Sequence, residues 1–530
     1  MPRRNQIING VEYVYEYDST WNSEKKYGDH KRNYIGKIVD GVFVPNKKHL
    51  LEIALEDVRR IAPSPVPVTF CNRAFYGATY LFDTIGEKLG ITIDLQKCFP
   101  DTYQQILSIA YYLILEDRNP FSRFSKWSRT HMHPFRDDIS SQRCSDLLGS
   151  ISENAKQHFF RLQGKRRLER EFLAYDITSV SSYSKLIKQV RYGNNKEHDP
   201  LAQINLALLF GEESRLPVYY RKLPGNITDV MTIHKMLADI DFLELEKVNL
   251  IMDRGFYSEA NINALYQKHY KFLIAAKTSL KFVQQKLEEV RNSMTSRSTY
   301  SSKYRLNYHS STEIWHYKET KKRSGAIATA ERKMYLHLFF NTQRAADDKT
   351  DFNDLLDSLE EELRSDKRIT AHEHLYEKYY EVKQTPKRGI VLSHKEDAIM
   401  QAEKNYGYFA LISNGIKDPL KALQVYRSKD VVEKAFGNLK ERLNMRRTSV
   451  FSEYNLEGKL FVQFVALIYL SYIDKVMREN SLYKRYTMQE LLDELDIIER
   501  FEQPGRKHHV GEVTKRQLGL YKCFGVEVPT

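Results

Sequence analysis

Asp176, Asp253 and Glu433 are the residues of this 530-residue chain whose types and positions could do chemistry together. The first two each close an apolar, strand-like run, Phe172-Leu173-Ala174-Tyr175-Asp176 and Val248-Asn249-Leu250-Ile251-Met252-Asp253, and Arg254-Gly255 breaks the second run. Carboxylates at two neighbouring strand ends would sit side by side. Taken alone, a strand-end aspartate is more often a turn or helix-cap residue, so the pair needs a third group. Glu433 is the candidate. At about 100° per residue, Lys429, Glu433 and Lys440 fall within a narrow arc of one helix face, and Tyr426 joins them if the helix reaches back that far. Arg427 points elsewhere. Val432, Ala435, Phe436 and Leu439 form an adjoining apolar stripe, so the face bearing Glu433 borders the core. The plain alternative is a solvated helix with intrahelical Lys–Glu pairs. Gly437 argues against it: glycine costs a helix about 1 kcal/mol, and here close approach by DNA or another backbone would explain it. Three carboxylates are hard oxygen donors that suit magnesium and need no histidine or cysteine.

The elements that must position these groups read as several strands followed by alternating helix and strand, which predicts a mixed α/β sheet. Residues 204–210 and 217–220 read as strands, 229–237 as a helix, 258–269 as a helix and 272–276 as a strand. Upstream, Tyr13 to Tyr17 and a hairpin turning at Asp40-Gly41 precede helical patterns at 79–89, 103–116 and 139–160. The stretch from Lys277 to Tyr406 is polar and loosely patterned and reads as an insertion, with a strand at 334–340 and a charged helix near 355–364. The expected organisation is a mostly helical N-terminal domain with an initial β-hairpin (1–165), a first part of the α/β core (166–280), an insertion (281–405), a second part of the core (406–480) and a tail (481–530).

Charge and composition narrow the partners. Lys and Arg number 82 against 69 Asp and Glu, a formal net charge of +13, which favours a polyanion. Cys71, Cys98, Cys144 and Cys523 form no CxxC pair, so neither a zinc knuckle nor a disulfide framework is indicated, and a reducing cytoplasm fits. The residues after Met1 lack the apolar stretch of a secretory signal. The apolar runs 106–115 and 460–473 fall short of the ~20 residues that span a bilayer, so no membrane is expected. His131-Met132-His133 and His372-Glu373-His374 lack further ligands at a metal-binding spacing. Lys165, Arg166, Arg167 and Arg170 could bind a DNA backbone or form a solvated linker. Trp21, Trp127 and Trp315 could stack on an unpaired base, although packing is the commoner role.

Tyr426, Lys429, Glu433 and Lys440 together resemble the Y-x2-R-x3-E-x6-K signature of DDE transposases of bacterial insertion sequences, with Lys429 in the arginine position. That exchange keeps the charge and loses the planar two-pronged donor. Tyr34 to Ile38, Ser141-Gln142-Arg143, Tyr175 to Ser179, Leu223 to Asn226 and Asp253 to Phe256 look like further family blocks in the family's order. The resemblance implies a ribonuclease-H-like core in which Asp176, Asp253 and Glu433 hold two Mg2+ ions, for which Mn2+ may substitute, with Asp176 bridging both. It implies cleavage at terminal inverted repeats, joining of the freed 3′-hydroxyls to target double-stranded DNA, end phosphates held by Tyr426, Lys429 and Lys440, with Arg427 beside them, and a homodimer in the synaptic complex. It also implies a bacterial, nucleoid-associated protein, and many members pass through a DNA hairpin. A transposase-derived binder without catalysis, and a nuclease without strand transfer, stay open as alternatives.

Overall fold

The computed structural model describes residues 3–530 apart from 23–26, 61–71, 117–119, 168–170, 194, 197–198, 245–247, 321–326, 366, 386–388, 449, 451 and 504. The chain divides into two compact units, one of residues 1–81, 126–133 and 490–530, the other of 82–125 and 134–489.

The first unit opens with four antiparallel strands, β1 (Arg3–Ile8), β2 (Val11–Asn22), β3 (Tyr27–Val39) and β4 (Val42–Pro45), so the hairpin expected at Asp40-Gly41 is half of a larger sheet. Asn9-Gly10 and Asp40-Gly41 both turn with two consecutive positive φ values, the conformation that matches the twist of a tight hairpin. A helix, Lys47–Arg60, follows. β5 (Asn72–Phe75) starts a second small sheet completed from the far end of the chain.

The second unit is built on one large mixed sheet. Its strands are β6 (Phe172–Ser182), β7 (Gln203–Gly211), β8 (Pro217–Pro224), β9 (Asn249–Met252), β10 (Lys271–Ala276), β11 (Tyr300–Ser301), β12 (Leu306–Thr320) and β13 (Ile327–Phe340). After a separate hairpin, β14 (Tyr380–Thr385) and β15 (Gly389–His394), come β16 (Tyr408–Ser413) and the short β17 (Arg447–Thr448). The spatial order is β11-β12-β13-β16-β10-β9-β6-β7-β8, with β17 beside β6. β6, β9 and β10 run parallel, β7 returns antiparallel to β6, and β8 is antiparallel to β7. Leu250, Ile251 and Met252 of β9 are all wholly buried, which is why that strand reads as an unbroken apolar run.

The region expected to be an insertion is therefore not one throughout. β12 and β13 extend the main sheet, because β13 pairs with β16 and turns Met334, Leu336 and Leu338 into the core. Residues 310–313 of β12 and 331–333 of β13 are polar and exposed or half-buried, which hid the full length of these strands from a search for apolar runs. Only the part after β13 packs on itself, around Phe352, Leu356, Leu359, Leu363, Tyr376, Tyr379 and Tyr380. The boundary expected at 165 also shifts. Residues 82–125 and 134–167 belong to the sheet-bearing unit, because their helices bury the helix Glu453–Glu479. Phe82 and Tyr111 pack on Tyr469, Phe159 on Phe461, and Phe160 on Phe464. That helix is longer than its apolar run and has the length and composition to cross a bilayer, yet 83% of its most apolar window is buried in the protein. The tail also has a place: β18 (Glu499–Glu502) pairs with β5 and with β19 (His509–Val510) in the first unit.

Candidate active site

Asp176 lies within β6, which runs on to Ser182 instead of ending at the aspartate, since Ile177, Val180 and their neighbours are buried in turn. Asp253 follows β9 directly and caps a single 3-10 turn, Arg254–Phe256. In the parallel register Tyr175 pairs with Met252, so the next residue on each strand is an aspartate. Adjacent strands thus bring together two carboxylates 77 positions apart in the chain.

The expected long helix around Glu433 is broken into pieces. Pro419–Arg427 is one helix, Ser428 ends it, Asp430–Gly437 is a second, and Asn438–Arg442 is a π-helical turn. Lys429 caps the second helix with its side chain almost wholly buried. Its ammonium lies 4.0 Å from Asp176, 3.8 Å from Asp253 and 3.3 Å from Glu433. One nitrogen therefore marks the point on which all three carboxylates converge.

Tyr426 reaches the same point from the preceding helix, and its hydroxyl donates to Asp253 at 2.9 Å. Lys440 is buried in the π turn. Arg427 lies over the ring of Tyr304, away from the carboxylates. A Cβ on Gly437 would meet nothing within 4 Å, so no protein backbone presses on it and the helix face beyond Glu433 is open.

Two participants carried no sequence signal. The Lys196 ammonium sits 3.7 Å from Asp176 and 3.8 Å from Asp229, and donates to the Ile177 carbonyl at 2.5 Å. Lys196 comes from a polar loop, and Asp229 reads in sequence as an ordinary first-turn helix residue. In the basic cluster before β6, read from the sequence as either a DNA-backbone contact or a solvated linker, two side chains meet carboxylates of the protein itself. Arg166 grips the fully buried Asp94 with two bonds, 2.7 and 2.8 Å, and Lys165 pairs with Glu244. Arg167 ends its helix, but its side chain, like all of Arg170, lies outside the described residues. Trp127 is buried and stacks on His131, Trp315 donates to Asn263, and the Trp21 side chain is outside the described residues. His131 pairs with Asp496 and His372 with Glu362.

Burial and charge set the protonation of the cluster. Burial raises the Asp176 carboxyl above the usual range despite the opposing pull of Lys196 and Lys429. Burial also pushes Asp253 upward, but Lys429, the Arg254 amide and the Tyr426 hydroxyl outweigh it, and that carboxyl lies below the usual range. Burial disfavours the Lys429 ammonium, yet Asp176, Asp253 and Glu433 overcome this and raise it. Four carboxylates, Asp176, Asp229, Asp253 and Glu433, thus face two ammoniums at ion-pair distance. The surplus is negative. The donor set fits a hard divalent cation by chemistry, although among the described residues no three ligands are already arranged as a closed metal site.

A family model described as a transposase DDE domain matches residues 167–469, which span both aspartates and the Glu433 helix. No curated protein is matched. Among solved structures, one described as a piggyBac transposase synaptic complex with hairpin DNA aligns over 84% of this chain and 76% of that chain. Its identity is 12% and its TM-score 0.34.

Proposed function

The chain belongs to the DDE-domain transposase family, and from that premise we propose that it binds the terminal inverted repeats of an insertion sequence, cleaves them, and transfers the 3′-hydroxyl ends into target DNA. The observation that carries this reading is the convergence of Asp176, Asp253 and Glu433 on one cationic nitrogen. The strand order β8-β7-β6-β9-β10, antiparallel on one side and parallel on the other, supports a ribonuclease-H-like core.

Asp176, Asp253 and Glu433 would hold two Mg2+ or Mn2+ ions, which when bound supply a nucleophilic water at neutral pH and neutralise charge around phosphorus. The protein's own groups do the rest. Tyr426 orients Asp253 through its hydroxyl bond, and Lys196 holds Asp176 and Asp229 in register. Lys429 is the resident counter-charge that lets three carboxylates approach without mutual repulsion, and DNA phosphates are its natural partners once the carboxylates are otherwise neutralised. The open helix face at Gly437 leaves room for a DNA backbone beside Glu433. In this reading two copies act together on two transposon ends, in the bacterial cytoplasm.

The test is Mg2+-dependent cleavage of DNA carrying the element's own ends. Asp176→Asn, Asp253→Asn and Glu433→Gln should each abolish cutting while end binding persists. Full activity in any one would remove that residue from the site. Cutting without joining would make the protein a nuclease, and binding without cutting an inactive derivative.

A further inference from the structure

The N-terminal sheet has two chemically different faces. Cross-strand register sets Arg4 opposite Tyr15, Tyr15 opposite Tyr34, and Tyr17 opposite Arg32, so these residues share one face. Tyr13 and Lys37 pair on the same side. Glu12 and Glu16 alternate onto the other face, where they bond Asn5 and Arg3. The helix Lys47–Arg60 packs on that acidic side too, through His49 against Phe43 and Lys48 against Asn33.

The tyrosine face is thus left with three cations, Arg4, Arg32 and Lys37, and no carboxylate among its described side chains. The Arg4 guanidinium lies 4.5 Å over the Tyr17 ring and Arg32 lies 5.4 Å over Tyr15. Gln6 accepts from both Arg32 and the Tyr34 hydroxyl, which locks the aromatic row in place. Beside this row lies an open hollow of ≈ 430 Å³ with Tyr13 and Tyr34 in its walls and Lys37, Ile8, Val44 and Pro45 among its other lining residues.

We propose that this face binds an unpaired strand of DNA, with a base entering the hollow against Tyr13 and Tyr34 and the flanking phosphates on Arg4, Arg32 and Lys37. Charge complementarity selects a polyanion, and the rings select unpaired bases, because in a duplex the base faces are already stacked on one another. The apolar hollow gains from burying a base and not from a phosphate. The choice of DNA over RNA rests on the transposase reading. Binding by the sheet face does not.

The experiment uses the full chain in EDTA, so no cleavage is needed and failure of the catalytic reading would leave it interpretable. Affinity for a labelled dT20 strand, a U20 strand and a mixed-sequence duplex is measured against salt. The double variant Tyr13→Ala/Tyr34→Ala should weaken dT20 binding about tenfold or more, while Tyr13→Phe/Tyr34→Phe, which keeps the rings, should retain it. Arg4→Ser/Arg32→Ser should lower the logarithmic salt slope by about 1.4. Photo-crosslinks from an iododeoxyuridine strand should fall on β2 and β3. The proposal is overturned if the alanine and serine variants bind dT20 like the parent, if only duplex or preferentially U20 uses this face, or if the variants change oligomeric mass alone. Should the alanine variant misfold, the phenylalanine and serine variants decide by themselves.

Discussion

Lys429 is where the chemistry of this protein is most exposed to test, because one buried ammonium occupies the ground that a divalent ion would share. Replacing it with methionine leaves Asp176, Asp253 and Glu433 without their common counter-charge. The apo protein should then be less stable, and Mn2+ should bind on the order of tenfold more tightly, since unit charges about 4 Å apart interact by several kcal/mol at protein-like screening. Titration of Mn2+ by electron paramagnetic resonance checks this, and unchanged affinity would mean that ion and ammonium do not compete. Tyr426→Phe removes one bond to Asp253 and should slow cleavage while leaving end binding intact, because the ring still fills its place. At this scale the aspartates and Glu433 were legible as residue types at telling positions. Lys196 and Asp229 were not, because nothing in a polar loop or a helix first turn announces which carboxylate it will face.

At the scale of elements, the helix Glu453–Glu479 is tied to its neighbours by ions as well as by rings. Lys156 and Lys222 are buried to within a few per cent, and each lies 2.8 Å from Glu457. Burial pushes the Glu457 carboxyl up, but the two lysines outweigh it and hold it below the usual glutamate range. A carboxylate so depressed stabilises the fold fully above its unfolded value near ~4.3 and loses that contribution as pH falls through the folded value. Glu457→Gln should therefore destabilise by about 2 kcal/mol at neutral pH, because it removes the carboxylate that two buried ammoniums share and leaves Lys156 with Glu153 and Lys222 with Glu453 alone. Urea unfolding across pH should show that deficit shrinking toward acid. A deficit independent of pH would point to packing alone. On the same helix, Leu467→Ala should cost about 3 kcal/mol through the cavity it leaves.

Taken as a whole, the molecule closes its first unit with residues from both ends of the chain. β18 covers β5, Asp496 holds His131, and the Tyr521 hydroxyl donates to the Gly77 carbonyl. Truncation after Gln489 should expose amides 72–81 to hydrogen exchange while β6 and β7 keep their protection. Equal protection in the truncated chain would show that the tail is dispensable for this unit. The same closure explains why a reading of consecutive segments drew the first boundary at 165. Contacts between residues hundreds of positions apart leave no local periodicity for a window to find.

What the amino-acid order determined unaided was whatever is periodic or locally constrained: the buried strands before Asp176 and Asp253, the Asp40-Gly41 turn, the apolar stripe beside Glu433 and the excess of positive charge. What only the tertiary structure decided was which polar groups meet. β12 and β13 became sheet because β16 offered an edge to pair with, Arg166 became structural because Asp94 is buried beneath it, and Lys429 became central because three separate elements point at it. Burial of apolar groups is additive and written along the chain. The pairing of charges depends on distances between elements, and those exist only once the chain has folded.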